Sequence, residues 1–214
     1  MWVIPEMSAQ FIARMFVILR LLARPYNPAE PVLVLDEKPV FLRGEKRIAI
    51  RTQRGAVLRD YEYVRLGKAN IFGICEPKTG RNFTVATQDR SKKSFARQLQ
   101  RLAKAYPSAK KIHLVVDNLN THKPAALLSV IPEDAALALM PRFIFHYTPK
   151  HASWLNPAEI MLSLLSREML GRRRFSDFQV LRREVALWAR RANQKKRKIN
   201  WRFTVTKAKK KFKL

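Results

Sequence analysis

Two stretches of this chain share one pattern. "PVLVLDEK" at residues 31–38 and "KIHLVVDNLN" at 111–120 are each a short apolar run ending on an aspartate. An apolar run of this length without polar alternation is covered on both faces, as in the inner strands of an α/β sheet. Asp36, as the last residue of its strand, and Asp117 then occupy equivalent places. If the two strands are neighbours, both carboxylates emerge at one sheet edge, where open α/β sheets bind ligands. Two acids so placed repel unless a cation lies between them, and with oxygen ligands that cation is hard, Mg²⁺ or Mn²⁺ rather than zinc. Asp at a strand end is also a common turn or capping residue, so each acid alone has a purely structural explanation.

The rest of the chain reads as strands and helices in mixed order. "ANIFGICEP" and "RNFTVATQD" are two β-rich runs around "KTG", where Gly80 supplies the positive φ of a hairpin turn. "SKKSFARQLQRLAKAYP" sets Phe95, Leu99, Leu102 and Tyr106 at helical spacing, and Pro107 ends that helix. "RFIFHYTP" is a further strand, and a last helix spans about Asp177 to Asn193. Residues 39–67 have no clean period and many charges, and read as a long excursion. The class is mixed α/β.

The third acid stands in "HYTPKHASWLNPAEIMLSLL". Asn156 as N-cap and Pro157 at the first helical position put Glu159 at the third, the partner position of a capping box. Capping explains Glu159 but not the two histidines, the tryptophan and the hydroxyls crowded before it. None of the four histidines has zinc-helix spacing. His122, five residues after Asp117, and His151, eight before Glu159, have the reach to orient phosphate or bound water, and would equally serve as ordinary loop residues.

Charge points to the partner. The 214 residues carry 43 Lys and Arg against 16 acids, a formal +27, as in proteins that meet a polyanion. Residues 167–214 hold 18 of those bases and 3 of the acids. Nucleic acid leads and an anionic membrane surface is second. No apolar run approaches the roughly 18 to 20 residues that span a bilayer, and "MWVIPEMSAQFIARMFVILRLLARPYNP" reads as a helix, not a signal. The one cysteine, Cys75, leaves no disulfide framework, which fits a reducing compartment and a small core residue.

Together, "VLVLDEKPV", "VVDNLNTHKPAAL" and "HYTPKHASWLNPAEI" resemble the three acidic motifs of the DDE transposases of mariner-related bacterial insertion sequences. The resemblance extends to "DYEYVRLGKANIFGICEPKTG" and "INWRFTVTKAKKKFKL". It implies a ribonuclease H-like fold, a mixed five-stranded sheet flanked by helices. It also implies two-metal phosphoryl transfer with two Mg²⁺ or Mn²⁺ ions held by Asp36, Asp117 and Glu159, the catalytic residues. Asn118, His122, His151 and Asn156 fall in supporting positions. Lys150, Trp154, Arg172, Arg173, Arg174, Lys195, Lys196, Arg197 and Lys198 fall where DNA would be met.

The layout implied is a linker-like helical segment at 1–30, a catalytic core at 31–171 with a clamp-like loop at 39–67, and a basic helical extension at 172–214. The partners are transposon ends and target DNA, the assembly a homodimer on DNA, and the location the bacterial cytoplasm at the nucleoid. The helix-turn-helix that such enzymes carry ahead of the linker is missing, so a truncated product is expected. The rivals are an inactive or domesticated basic nucleic-acid-binding relative, which would bind DNA without Mg²⁺, and another ribonuclease H-like nuclease.

Overall fold

The computed structural model describes residues 7–47, 50–55, 57–58, 61–171 and 173–214. In chain order the elements are helix α1 (Ala9–Ala23), strands β1 (Val32–Glu45), β2 (Ile50–Arg51), β3 (Val57–Leu58), β4 (Tyr63–Cys75) and β5 (Val85–Thr87), then helix α2 (Lys92–Ala105) and strand β6 (Ile112–Val116). Helix α3 (Glu133–Leu139), strand β7 (Phe143–Tyr147) and helices α4 (Ala158–Leu165), α5 (Phe178–Lys195) and α6 (Val205–Phe212) complete it.

Five strands form one mixed sheet in the order β5-β4-β1-β6-β7. The two apolar runs are neighbours and parallel, with Val32 opposite His113 and Val34 opposite Val115. β7 continues the parallel half, while β4 and β5 are antiparallel. Strand alternation divides the core in two. Leu33, Leu35, Leu114 and Val116 pack with Phe95, Leu99 and Leu102 of α2. Val34 and Val115 face the opposite layer, with Ile18 of α1, Leu162 and Leu165 of α4, and Leu181 and Trp188 of α5. Each of these aliphatic side chains stabilises the fold by about 1.5–3 kcal/mol through burial. Asp36 and Asp117 lie two residues beyond Val34 and Val115, so the same alternation directs both to the α4 face.

Three expectations are corrected. β1 does not end at Asp36. Only its pairing with β6 stops at Val34, while pairing with β4 runs on to Glu45 opposite Tyr63. The described residues of the excursion at 39–67 accordingly form a two-stranded ribbon, 39–45 paired with 63–70, and the small β2-β3 hairpin. The pattern was hard to see because the ribbon is covered only in part: Leu42 is buried and Val40 packs on the core, while Phe41, Val64 and Leu66 are exposed. The N-terminal segment also does more than link. Ser8 caps α1, whose Phe11, Met15, Ile18, Leu19, Leu21 and Leu22 are buried, and α6 packs on it through Ala208 and Phe212.

At the turn after β4, Gly80 has φ +78, as its position in "KTG" predicts. A Cβ there would lie 2.5 Å from the Lys196 carbonyl carbon, so glycine is required for both conformation and close approach. That contact seats the end of α5 against the hairpin.

Candidate active site

β1 and β6 bring Asp36 and Asp117 to one end of the sheet, and the first turn of α4 brings Glu159 to the same place. Asp36 is half-buried, and its carboxyl is pushed up to about 6, first by burial and then by the charges of Glu159, Asp117 and Glu37, against the opposing hydrogen bond from the Glu37 N–H to Oδ1 at 2.7 Å. The charges of the other two acids predicted from the sequence are therefore felt at Asp36.

Asp117 has a specific partner. His122 Nδ1 lies 2.5 Å from its Oδ1, and the Leu119 N–H donates to the same oxygen at 3.3 Å. Burial alone would raise Asp117, but the imidazole and the N–H hold it below the ordinary carboxylate range. On its other side, His122 Nε2 lies 3.1 Å from Oε1 of Glu37. Burial opposes the imidazolium, yet the two carboxylates lift His122 to about 9. His122 is buried, its ring centre 4.5 Å from that of Phe95 and tilted 34° to it. Arg90 lies 3.8 Å from the other oxygen of Glu37. Glu37 is the residue that sequence reasoning missed: its signal was the second acid of "LDEK", which alternation turns to the α2 face.

The helix carrying Glu159 starts one residue later than expected, at Ala158, so Glu159 is its second residue. No capping box forms, because the Asn156 N–H donates to the Ser153 carbonyl. Asn156 instead uses both ends of its amide. Oδ1 accepts from the Ala158 N–H at 3.1 Å, and Nδ2 donates to the Leu35 carbonyl at 2.7 Å. Leu35 lies just past the last β1–β6 pair and just before Asp36, so this one side chain ties the start of α4 to the strand bearing the first acid. Opposite Asp36 in the β1-β4 register is Gly73, where a Cβ would lie 2.5 Å from Leu162 Cδ2. The missing side chain lets α4 settle close. Asn156→Ala is expected to cost about 2–4 kcal/mol, combining a lost cap of about 1 with a buried carbonyl left unpaired at about 1–3. Urea denaturation midpoints at constant slope measure it.

The remaining predicted residues divide. Asn118 donates to the Thr148 carbonyl and accepts from Arg14 at 3.2 Å. With Lys150 and His151, which has φ 58, these two line a recess of about 390 Å³ beside Asp117. His151 therefore adjoins Asn118, in a recess that Glu159 does not line. Lys195, Lys196 and Lys198 are exposed.

Others are taken up inside the molecule. Trp154 packs edge-on to Phe203 at 5.6 Å and also meets Phe212. Arg174 bonds Glu45 at 2.7 Å and the Glu62 carbonyl at 3.0 Å, fastening the chain after α4 to the ribbon. Arg173 pairs with Glu184 at 2.9 Å, and Arg197 with Glu168. Each of these side chains, expected to meet DNA, thus has a partner within the fold. Arg172 lies outside the described residues.

A hard cation suits the chemistry of the site. Asp36 is half-buried beside the like charges of Glu159, Asp117 and Glu37, and both contacts given for Asp117 fall on Oδ1. Among the described residues, however, no group of three or more His, Cys, Asp or Glu side chains is gathered closely enough to hold a metal ion.

The order β5-β4-β1-β6-β7, with acids on β1, just after β6 and on the helix after β7, defines a ribonuclease H-like fold. The model of the DDE superfamily endonuclease family matches residues 17–182, well over half the chain, and the chain belongs to that family. Solved structures agree in fold. The chain is similar to a Mos1 mariner paired-end complex with Mn, at 16% identity and TM-score 0.53 over 91% of this chain and 62% of that one. It is similar to a Mos1 paired-end complex with the left transposon end, at 15% identity and TM-score 0.56 over 92% and 62%. A pre-cleavage Mos1 transpososome matches at 16% identity and TM-score 0.56 over 91% and 62%. The chain thus spans less than two thirds of the length of these neighbours. No curated protein sequence matches it. Among the described residues no helix is long and apolar enough to cross a membrane.

Proposed function

We propose that this chain is the catalytic core of a DNA transposase of the mariner-related insertion-sequence type, with Asp36, Asp117 and Glu159 holding a pair of divalent ions. The observation that carries this reading is that Asp36 and Asp117 follow paired stretches of neighbouring parallel strands, with the charges of Asp117 and Glu159 felt at an Asp36 carboxyl that burial first pushes up to about 6. Family membership and the Mn and Mg complexes of Mos1 support it.

When bound, divalent ions supply Lewis acidity at the attacking and leaving oxygens of a phosphodiester. The chain's own residues do the rest. His122 holds Asp117 in place and is itself braced by Glu37. Asn156 fixes the start of α4 so that Glu159 faces the strand ends from a rigid element, as precise sites require. The cationic surface draws in DNA and orients it by its phosphates. Cleavage exposes a 3′-hydroxyl, which then attacks the target strand, so no covalent bond to the enzyme is needed.

A dimer follows from the ribbon. Phe41, Val64 and Leu66, with Ile50 67% and Tyr61 85% exposed towards its tip, form an apolar surface suited to clasp a second copy.

One observation favours DNA binding without catalysis, namely that Asp117 spends an oxygen on His122 and the acids are not gathered. The two readings separate in one assay. Supercoiled plasmid is expected to be nicked in Mg²⁺ or Mn²⁺ and left intact in EDTA, whereas a purely binding protein leaves it intact in both while still shifting it on a gel.

A further inference from the structure

A groove of about 760 Å³ lies beside the sheet, and none of the three acids lines it. Its floor is β5, the sheet's edge strand, paired on one side only. Its walls are α2 and α5. From α2 come Arg97 and Arg101, one helical turn apart, and from α5 come Arg182 and Arg190, two turns and so about 12 Å apart along the axis. Between the last two the wall is lowered by Ala186 and Ala189.

The lining is strongly cationic, four arginines against one acid, Asp89, whose charge is felt by Arg97. Among the described residues none of these four arginines has an ion pair within 4 Å. The one acid in the lining, Asp89, is occupied by the Ser91 N–H at 2.9 Å and the Ser94 hydroxyl at 2.5 Å. Arg101 is braced by Gln98 at 2.7 Å, which aims its guanidinium without neutralising it.

The groove also has a direction. At one end Asn193 and Asn82 close it, the Asn82 N–H donating to Asn193 Oδ1 at 2.7 Å and Asn193 Nδ2 donating to the Asn82 carbonyl at 2.9 Å. At the other end it opens between the first turns of α2 and α5, beside Asp89. The next residue, Arg90, reaches Glu37 at 3.8 Å and so joins the groove mouth to the acids. β5 pairs with residues 70–72 of β4, beside Gly73, the partner of Asp36. Two strand spacings, about 10 Å, separate the floor from that acid.

We infer that this groove is a second DNA site, holding the phosphodiester backbone of a strand that runs on from the active site along the edge of β5. Four guanidiniums in an open, polar-edged trough match a repeating anion, and their fork geometry suits phosphate oxygens. The inference rests on the reading of the chain as a DNA enzyme and adds where the strand goes.

The test uses the full chain carrying Arg97→Gln, Arg182→Gln and Arg190→Gln together. All three residues are exposed, and an unchanged thermal midpoint verifies the fold. Duplex binding is titrated across salt concentrations, beside a control with Lys207→Gln, Lys210→Gln and Lys213→Gln on α6. The groove variant is expected to bind at least tenfold more weakly at 0.1 M salt, with a log–log salt slope shallower by about 2 to 3, as for the loss of about three phosphate contacts. The α6 variant is expected to lose clearly less. Equal losses in the two variants would reduce the effect to net charge and overturn the inference. So would unchanged DNA affinity in the groove variant, including the case in which it has lost only binding of polyglutamate, which would mark an acidic-peptide site. Wild-type protein without salt-dependent DNA binding would instead remove the proposed function itself.

Discussion

Asp117→Asn is expected to lower metal-dependent nicking about 10³-fold or more while DNA binding stays as tight or becomes tighter. The carboxamide keeps the shape of the side chain and can still accept from the Leu119 N–H, so the local turn survives. What it loses is the charge. Metal chemistry contributes several kcal/mol to such reactions, and each 1.36 kcal/mol is tenfold in rate. Removing an anion at the edge of a cationic surface also relieves repulsion of phosphate, hence the retained or improved binding. Nicking time courses with gel shifts on the same preparation measure both. A mutant that cuts at the wild-type rate in Mg²⁺ would take Asp117 out of the mechanism.

His122→Ala is expected to cost about 3–5 kcal/mol of stability, the largest single loss in this account. His122 stands between the carboxylates of Glu37 and Asp117, and Glu37 is itself nearly buried, with 6% of its side chain exposed. Breaking a buried ion pair by removing one member leaves an uncompensated charge, and losses of that size follow. After the change Glu37 keeps only Arg90, at 3.8 Å. A space also opens against the ring of Phe95. His122→Gln, which keeps a hydrogen bond but not the charge, should fall between. Urea midpoints at unchanged slope report the loss. Nicking per folded molecule should fall as well, because Asp117 would no longer be held. Equal stability of wild type and His122→Ala would mean that the bridge contributes nothing.

Much of the sheet was legible because its inner strands are covered on both faces. "VLVLD" and "HLVVD" carry that information locally, and their parallel pairing put Asp36 and Asp117 side by side as expected. The ribbon at 39–67 was not legible, because partly exposed strands need no alternation and Pro39 and Gly44 interrupt any pattern. The site's acids could be read, but the contacts that hold them could not. Asn156 looked like a cap, yet its second partner, the Leu35 carbonyl, is 121 residues away. Glu37 and His122 are separated by 85 residues. Basic residues misled for a related reason: composition counts Arg174 as surface charge, whereas the fold brings it to Glu45, 129 positions earlier. Nothing local in the sequence signalled that Phe203 and Phe212 would meet Trp154.

The central claim is that Asp36, Asp117 and Glu159 form one divalent-cation site. It is tested most directly by soaking Mn²⁺ into crystals of the full chain and locating it by anomalous scattering. The account predicts density among these three carboxylates, with oxygen distances of about 2.0–2.6 Å as for hard divalent ions, and its loss in Asp36→Asn. Saturating Mn²⁺ with no density there would contradict it.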